Sequence, residues 1–265
     1  MFGKLMKYEI KSMFKQFSFI WIAVIAVAAI IKFTSGFGGN EVLRSFLPEF
    51  VFSLVYGALL IAMVVLSIMF IIQRFYNGLL KDEGYLMFTL PVKPWQLVMS
   101  KLLTATLVTV ISTLVGIISI FVLAGNYGRV FGELFDALAL MSEKFPTWPL
   151  IATEIIILLI ASCLETVTML YMSMAIGHLG SKHRVALSFA AYIGINTVIA
   201  FIVNWIMGIF QFTGTFDRLF TQLATWSNFG IVQLVLITLI VITIIPTVIF
   251  YVGTERILAK KLNLE

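Results

Sequence analysis

The stretch FVFSLVYGALLIAMVVLSIMFII, from Phe50 to Ile72, carries no charged residue. At about 1.5 Å per residue it makes a helix long enough to cross a hydrocarbon core of about 30 Å. Five other stretches read the same way: Phe17–Phe33, Leu102–Leu123, Leu150–Ile176, Val185–Phe210 and Phe229–Val252. The runs from Leu150 and from Val185 are longer than the core is thick, which predicts tilt or extension past it. Composition agrees, with 61% of residues hydrophobic and 12% charged. Soluble domains stand nearer 45–50% and about 25%. Surface of this kind needs lipid as its solvent. The expectation is an all-α polytopic membrane protein of about six transmembrane helices. No internal repeat or low-complexity linker interrupts it, so residues 1–265 read as one transmembrane domain.

The formal net charge of +5 belongs to loops at a membrane rather than to a nucleic-acid surface. With both termini cytoplasmic, the inner segments hold thirteen of the eighteen lysines and arginines: Lys4, Lys7, Lys11, Lys15, Arg74, Lys81, Lys93, Lys101, Lys182, Arg184, Arg256, Lys260 and Lys261. The outer segments hold Lys32, Arg44, Arg129, Lys144 and Arg218. That asymmetry predicts a multi-pass protein of the cell membrane with its N- and C-termini inside. The lysines before the first run make a long n-region for a signal peptide, so the first span is read as retained rather than cut near Ser35-Gly36.

At 100° per residue Lys4, Lys7, Lys11 and Lys15 fall on one side of a helix, with Phe2, Met6, Ile10, Met13 and Phe17 on the other. This predicts an amphipathic interfacial helix on the inner leaflet, lysines toward anionic headgroups. Outside, Ala124–Pro149 is long enough for a short interfacial helix and too short for a binding domain. The Phe210–Phe229 link, with Phe212, Phe216, Phe220 and Trp226, is apolar enough to dip into the outer interface.

Catalytic patterns are missing. There is no H-E-x-x-H, no G-x-S-x-G and no G-x-x-x-x-G-K-[ST]. Gly177-His-Leu-Gly-Ser-Lys182 has the wrong spacing for a phosphate loop and follows no strand. His178 and His183 are expected to be solvated in an inner loop, and Cys163 reads as a small apolar residue of a span. The chain is therefore not expected to be an enzyme by itself or to hold a cofactor or metal. Within the spans, Glu154 and Glu165 are the costly residues, since a charge at that depth costs about 2.5–3.5 kcal/mol. Eleven residues apart, they share a helix face. Glu165 has Ser162 and Thr166 beside it. Glu154, Glu165, Thr166 and Asn196 form a candidate cavity or polar network; the alternative is a protonated acid bonded to a neighbouring helix. Asn196 and Asn204 also read as interhelical glue. Ala186, Ala190 and Gly194, at i, i+4 and i+8, form a candidate face for close helix packing.

The segment between the second and third spans, RFYNGLLKDEGYLMFTLPVKPWQLVMSK (Arg74–Lys101), is too patterned for a plain turn. Asp82-Glu83 suits the cap of a helix starting near Gly84. Tyr85, Leu86, Phe88 and Leu90 then load a short cytoplasmic helix with apolar bulk, and Pro91 stops it. Pro94 suits the first turn of the next helix. Trp95 and Lys101 suit the headgroup level. An apolar helix held between two spans must bury its face against a partner or on lipid.

The run Asp82-Glu83-Gly84-Tyr85-Leu86, then Leu90-Pro91-Val92, Leu97 and Ser100-Lys101 resembles the permease subunits of type-2 ABC transporters. Tyr85 and Met87 stand where that pattern often has a threonine and an acid. An amphipathic N-terminal helix and six spans match the wider plan. The resemblance implies that Asp82, Glu83, Gly84, Tyr85, Leu86, Phe88, Leu90 and Pro91 form a coupling helix contacting a separate ATPase. It implies two ATPase subunits that bind ATP and Mg, and a second permease chain, identical or related. Export fits the short outer segments. Two other functions compete: a proton-coupled secondary transporter using Glu165, and a non-transporting scaffold or sensor subunit. An intramembrane enzyme has no supporting constellation.

Overall fold

The computed structural model describes residues 2–36, 49–80, 93–124, 127–144, 147–180, 183–215, 218, 221 and 228–260. Seven α-helices and one π-turn account for nearly all of them: α1 Phe2–Gly36, α2 Glu49–Phe75, the π-turn Tyr76–Leu80, α3 Pro94–Ala124, α4 Tyr127–Lys144, α5 Trp148–Gly177, α6 Arg184–Phe212 and α7 Asn228–Lys260. All but α4 contain a stretch long and apolar enough to span a membrane. The chain is an all-α polytopic membrane protein. The six runs legible in the sequence each fall inside one of these helices, and no strand occurs among the described residues.

The chain gathers into two compact units, Met1–Phe75 with Met99–Leu140, and Tyr76–Val98 with Met141–Glu265. In the first unit, α1 is one unbroken helix of 35 residues. At 1.5 Å per residue that is about 52 Å, well beyond the hydrocarbon core, so the lysine-bearing turns continue the first span. Glu9, Met13, Phe17, Trp21, Val24, Ala28 and Ile31 are buried in a seam at helical spacing. Lys4, Lys7, Lys11 and Lys15 are exposed on the other side, as the amphipathic pattern predicts. Met13 and Phe17, expected to face acyl chains, instead pack into protein; the Phe17 ring meets Phe70 of α2 edge-on at 5.5 Å.

Polar groups in this seam are paired, as a low-dielectric surrounding requires. Trp21 Nε1 donates to Ser112 Oγ of α3 at 2.9 Å. Ser119 Oγ donates to the Gly116 carbonyl at 2.7 Å, which leaves the Tyr56 hydroxyl as donor in its 2.6 Å bond to Ser119. Thr104 and Thr106 return their hydroxyls to the Ser100 and Leu102 carbonyls one turn back. Beside Tyr56, Ala28 and Ile31 pack with Val27, Leu60, Val122 and Leu123. Past the end of α3, α4 carries an exposed Arg129–Glu133 pair at 2.9 Å and exposed Phe131 and Phe135, the make-up of an interfacial helix. The Phe131 ring stacks on Phe121 of α3.

In the second unit α5 packs on α6 and α7. A glycine stands at each contact. A Cβ on Gly177 would lie 2.4 Å from the Ser188 nitrogen and 2.6 Å from its Cα, so only hydrogen fits there. A Cβ on Gly253 of α7 would meet Met172 at 2.7 Å. Pro246 interrupts the α7 ladder, a tolerated event in a span because neighbouring groups re-satisfy the backbone. No residue of α6 is buried, and Phe189, Phe201 and Trp205 are exposed on it. That surface suits lipid or a second chain, not water.

Candidate functional site

Asp82, Glu83, Gly84, Tyr85, Leu86, Phe88, Leu90 and Pro91, the sequence-predicted partner contact, lie outside the described residues. What the structure describes is how the segment is rooted. The first unit ends at Phe75 and resumes at Met99, so the whole of 76–98 belongs to the second. On the second unit's side, the π-turn buries Gly78, Leu79 and Leu80. The Tyr76 ring meets His178 at the end of α5 edge-on at 5.0 Å. At the other root, the Trp95 carbonyl accepts a 2.9 Å bond from the Tyr251 hydroxyl of α7.

On the first unit's side both flanking cations converge on one acid. Glu9 Oε2 accepts from Arg74 Nε at 3.1 Å and Nη2 at 3.0 Å. Glu9 Oε1 accepts from Lys101 Nζ at 3.1 Å. Arg74 Nη1 donates to Ser12 Oγ at 2.8 Å, one helical turn along α1 from Glu9. Glu9 and Lys101 are each 4% exposed, whereas the Arg74 side chain retains 27% exposure. Charges so far from water persist when they are paired and hydrogen-bonded, and here both carboxylate oxygens are engaged. In sequence Arg74 stands as inner-loop charge and Lys101 as a headgroup-level residue at the entry to the third span, and nothing there pairs either with Glu9. One signal was available: at 100° per residue Glu9 falls beside the apolar side of its helix, opposite the lysines.

His178 corrects an expectation. Rather than standing in solvent, it is half-buried where α5 ends, with both ring nitrogens out of reach of water. Burial, aided by the charge of Arg184, holds its imidazole below the ordinary histidine value, and the Leu80 backbone opposes this. The neutral ring is therefore favoured. This contribution to stability is present above the ordinary histidine range and is lost as pH falls through it, because the unfolded chain then binds the proton more readily. His183 is exposed and takes a left-handed conformation (φ 57°) before α6.

The four candidate network residues in the spans are not hydrogen-bonded to one another among the described residues. Glu154 Oε1 accepts from Gln233 Nε2 of α7, while Glu154 Oε2 and Gln233 Oε1 are buried without a hydrogen-bond partner among the described residues. The Glu165 side chain is half-buried, with no hydrogen bond or ion pair among the described residues. Thr166 Oγ1 donates to the Ser162 carbonyl at 2.9 Å. Asn196 Nδ2 donates to the Tyr192 carbonyl at 2.9 Å and touches Met169 Sδ of α5 at 3.9 Å, a link between helices. Asn204 bonds the Ala200 carbonyl of its own turn. Ala186, Ala190 and Gly194 are exposed, and a Cβ on Gly194 would enter open space. Within the chain the close α5–α6 contact is made at Gly177, not on that face. No metal-binding group of three or more His, Cys, Asp or Glu occurs among the described residues. Comparison with family models, with curated proteins and with solved structures finds no match to this chain.

Proposed function

We propose that this chain is the permease subunit of an ATP-driven ABC exporter, coupled to separate ATPase subunits through the Asp82–Pro91 helix. The observation that carries the reading is the segment between the second and third spans. Its sequence resembles the coupling region of type-2 permeases, and residues at and beside its ends are bonded to other helices. Arg74 and Lys101 are held by α1 through Glu9. Tyr76 and Trp95 are held at α5 and α7. A segment rooted in this way passes a displacement into spanning helices, whereas a free linker absorbs it. The ATPases bind ATP and Mg, and this chain supplies the path. A second permease chain is part of the proposal, and the uncovered face of α6 with Ala186, Ala190 and Gly194 is where it docks. The test is mild extraction of the tagged chain from its native membranes. An ABC ATPase should copurify, in a particle of two permeases and two ATPases. A preparation that never contains an ATPase contradicts the reading.

The proposed orientation puts both termini and the segment in the cytoplasm at the cell membrane. Single cysteines at Lys7, Asn77 and Lys93 should resist an impermeant thiol reagent added to intact cells, and cysteines at Glu143 and Arg218 should react. The reverse pattern contradicts it.

A proton-coupled secondary transporter is favoured by one observation, the Glu165 carboxyl at mid-span with no partner among the described residues. Under the ABC reading, Glu165→Gln should transport within about twofold of the parent, because ATP rather than a proton supplies the work. Loss of transport at normal expression, with no change in ATPase association, would favour the secondary transporter.

A further inference from the structure

One carboxylate holds the two cations that frame the segment. Arg74 is the residue before the first unit's break at Phe75, and Lys101 lies two residues after its resumption at Met99. Glu9 lies 65 and 92 residues away from them in sequence. We propose that Glu9 is a positioning residue: its carboxylate, shared between Arg74 and Lys101, fixes the end of α2 and the start of α3, which flank the segment 76–98, to the first helix.

The geometry is specific at each atom. Lys101 occupies one oxygen, and the Arg74 guanidinium meets the other through two of its nitrogens. Ser12 takes the remaining Nη1, so the guanidinium plane is set at two points on one face of α1. The apolar seam of Met13, Phe17 and Trp21 drives α1 against its neighbours but tolerates sliding, because hydrophobic contact is non-directional. A buried ion cluster tolerates neither sliding nor rotation. Setting register is the best-attested use of such groups. Arg74 and Lys101 therefore cannot part from each other, or from α1, without breaking the cluster. The end of α2 and the start of α3 are thereby held to the first helix. The proposed function enters only in saying what the segment meets.

The test is limited trypsin digestion of the purified full chain in mild detergent. It follows cleavage at Lys81 in the segment, with the exposed Arg256 of α7 as reference; Lys93, followed by Pro94, resists trypsin. Glu9→Gln keeps the shape and removes the charge. Cleavage at Lys81 should become at least fivefold faster, with Arg256 unchanged. The exchange Glu9→Lys with Lys101→Glu preserves the cluster's net charge and should return the Lys81 rate to within twofold of the parent. A parent-like rate at Lys81 in Glu9→Gln would overturn the proposal, as would equal acceleration at Lys81 and Arg256, which reports general loosening. ATPase recovered with the parent chain separates the two ideas. Its absence with accelerated cleavage contradicts the coupled permease and leaves the positioning role standing. Its presence with parent-like cleavage does the reverse.

Discussion

Replacing Tyr85 and Phe88 together by alanine should lower the ATPase recovered with this chain by at least about tenfold, with the chain's own level in the membrane unchanged. Tyr85, Leu86, Phe88 and Leu90 put apolar bulk on a short segment between two spans. Apolar patches rimmed by polar residues mark partner sites. Aromatic anchors at the centre of an interface cost about 2 kcal/mol or more each on truncation. Since about 1.4 kcal/mol is a factor of ten in affinity, even strongly non-additive losses exceed tenfold. Insertion should survive, because neither residue falls in one of the six long apolar runs of the sequence. The checks are membrane level, ATPase recovered and substrate-stimulated ATP hydrolysis on one preparation. Parent values for all three would remove the coupling assignment.

The second large effect is expected at Glu9. Glu9→Leu removes the carboxylate between Arg74 and Lys101, leaving two neighbouring cations in a site where Lys101 is 4% exposed. Breaking a buried ion pair from one side costs about 3–5 kcal/mol. For a chain of this size that corresponds to a fall of about 6–20 °C in melting temperature. Glu9→Leu with Lys101→Met removes the buried charge from both sides and should recover more than half of the loss. Arg74, partly exposed and bonded to Ser12, can still reach water. Thermal melts of the purified chain in one detergent decide it. A single variant that melts with the parent, or a double variant no better than the single, would show that the cluster is not the brace described.

The spans were legible because a bilayer demands long apolar runs and each run became a helix. Lys4, Lys7, Lys11 and Lys15 were legible as one exposed face because helical period alone sets it. What composition could not supply was the choice of neighbours. Glu9 stands among lysines in sequence, and only the fold brings Arg74 and Lys101 to it. Glycine packing followed the same rule: the pattern drew attention to Gly194, but the tight crossing is at Gly177, where Ser188 of the next helix arrives. His178 sits in a short polar turn that reads as solvated, and the Tyr76 ring from elsewhere in the chain changes that. Among the candidate polar residues, Glu154 found Gln233, a partner with no sequence signal, since both lie in runs dominated by apolar residues.

Contact at Tyr85 tests most directly whether the segment between the second and third spans meets an ATPase. A photoreactive amino acid placed at Tyr85 should, on illumination of native membranes, form a covalent adduct with an ABC ATPase. The same probe at Val241, an exposed apolar position of α7, should react with lipid. Tyr85 adducts made only with lipid or with this chain itself, in membranes that contain the ATPase, would contradict the account.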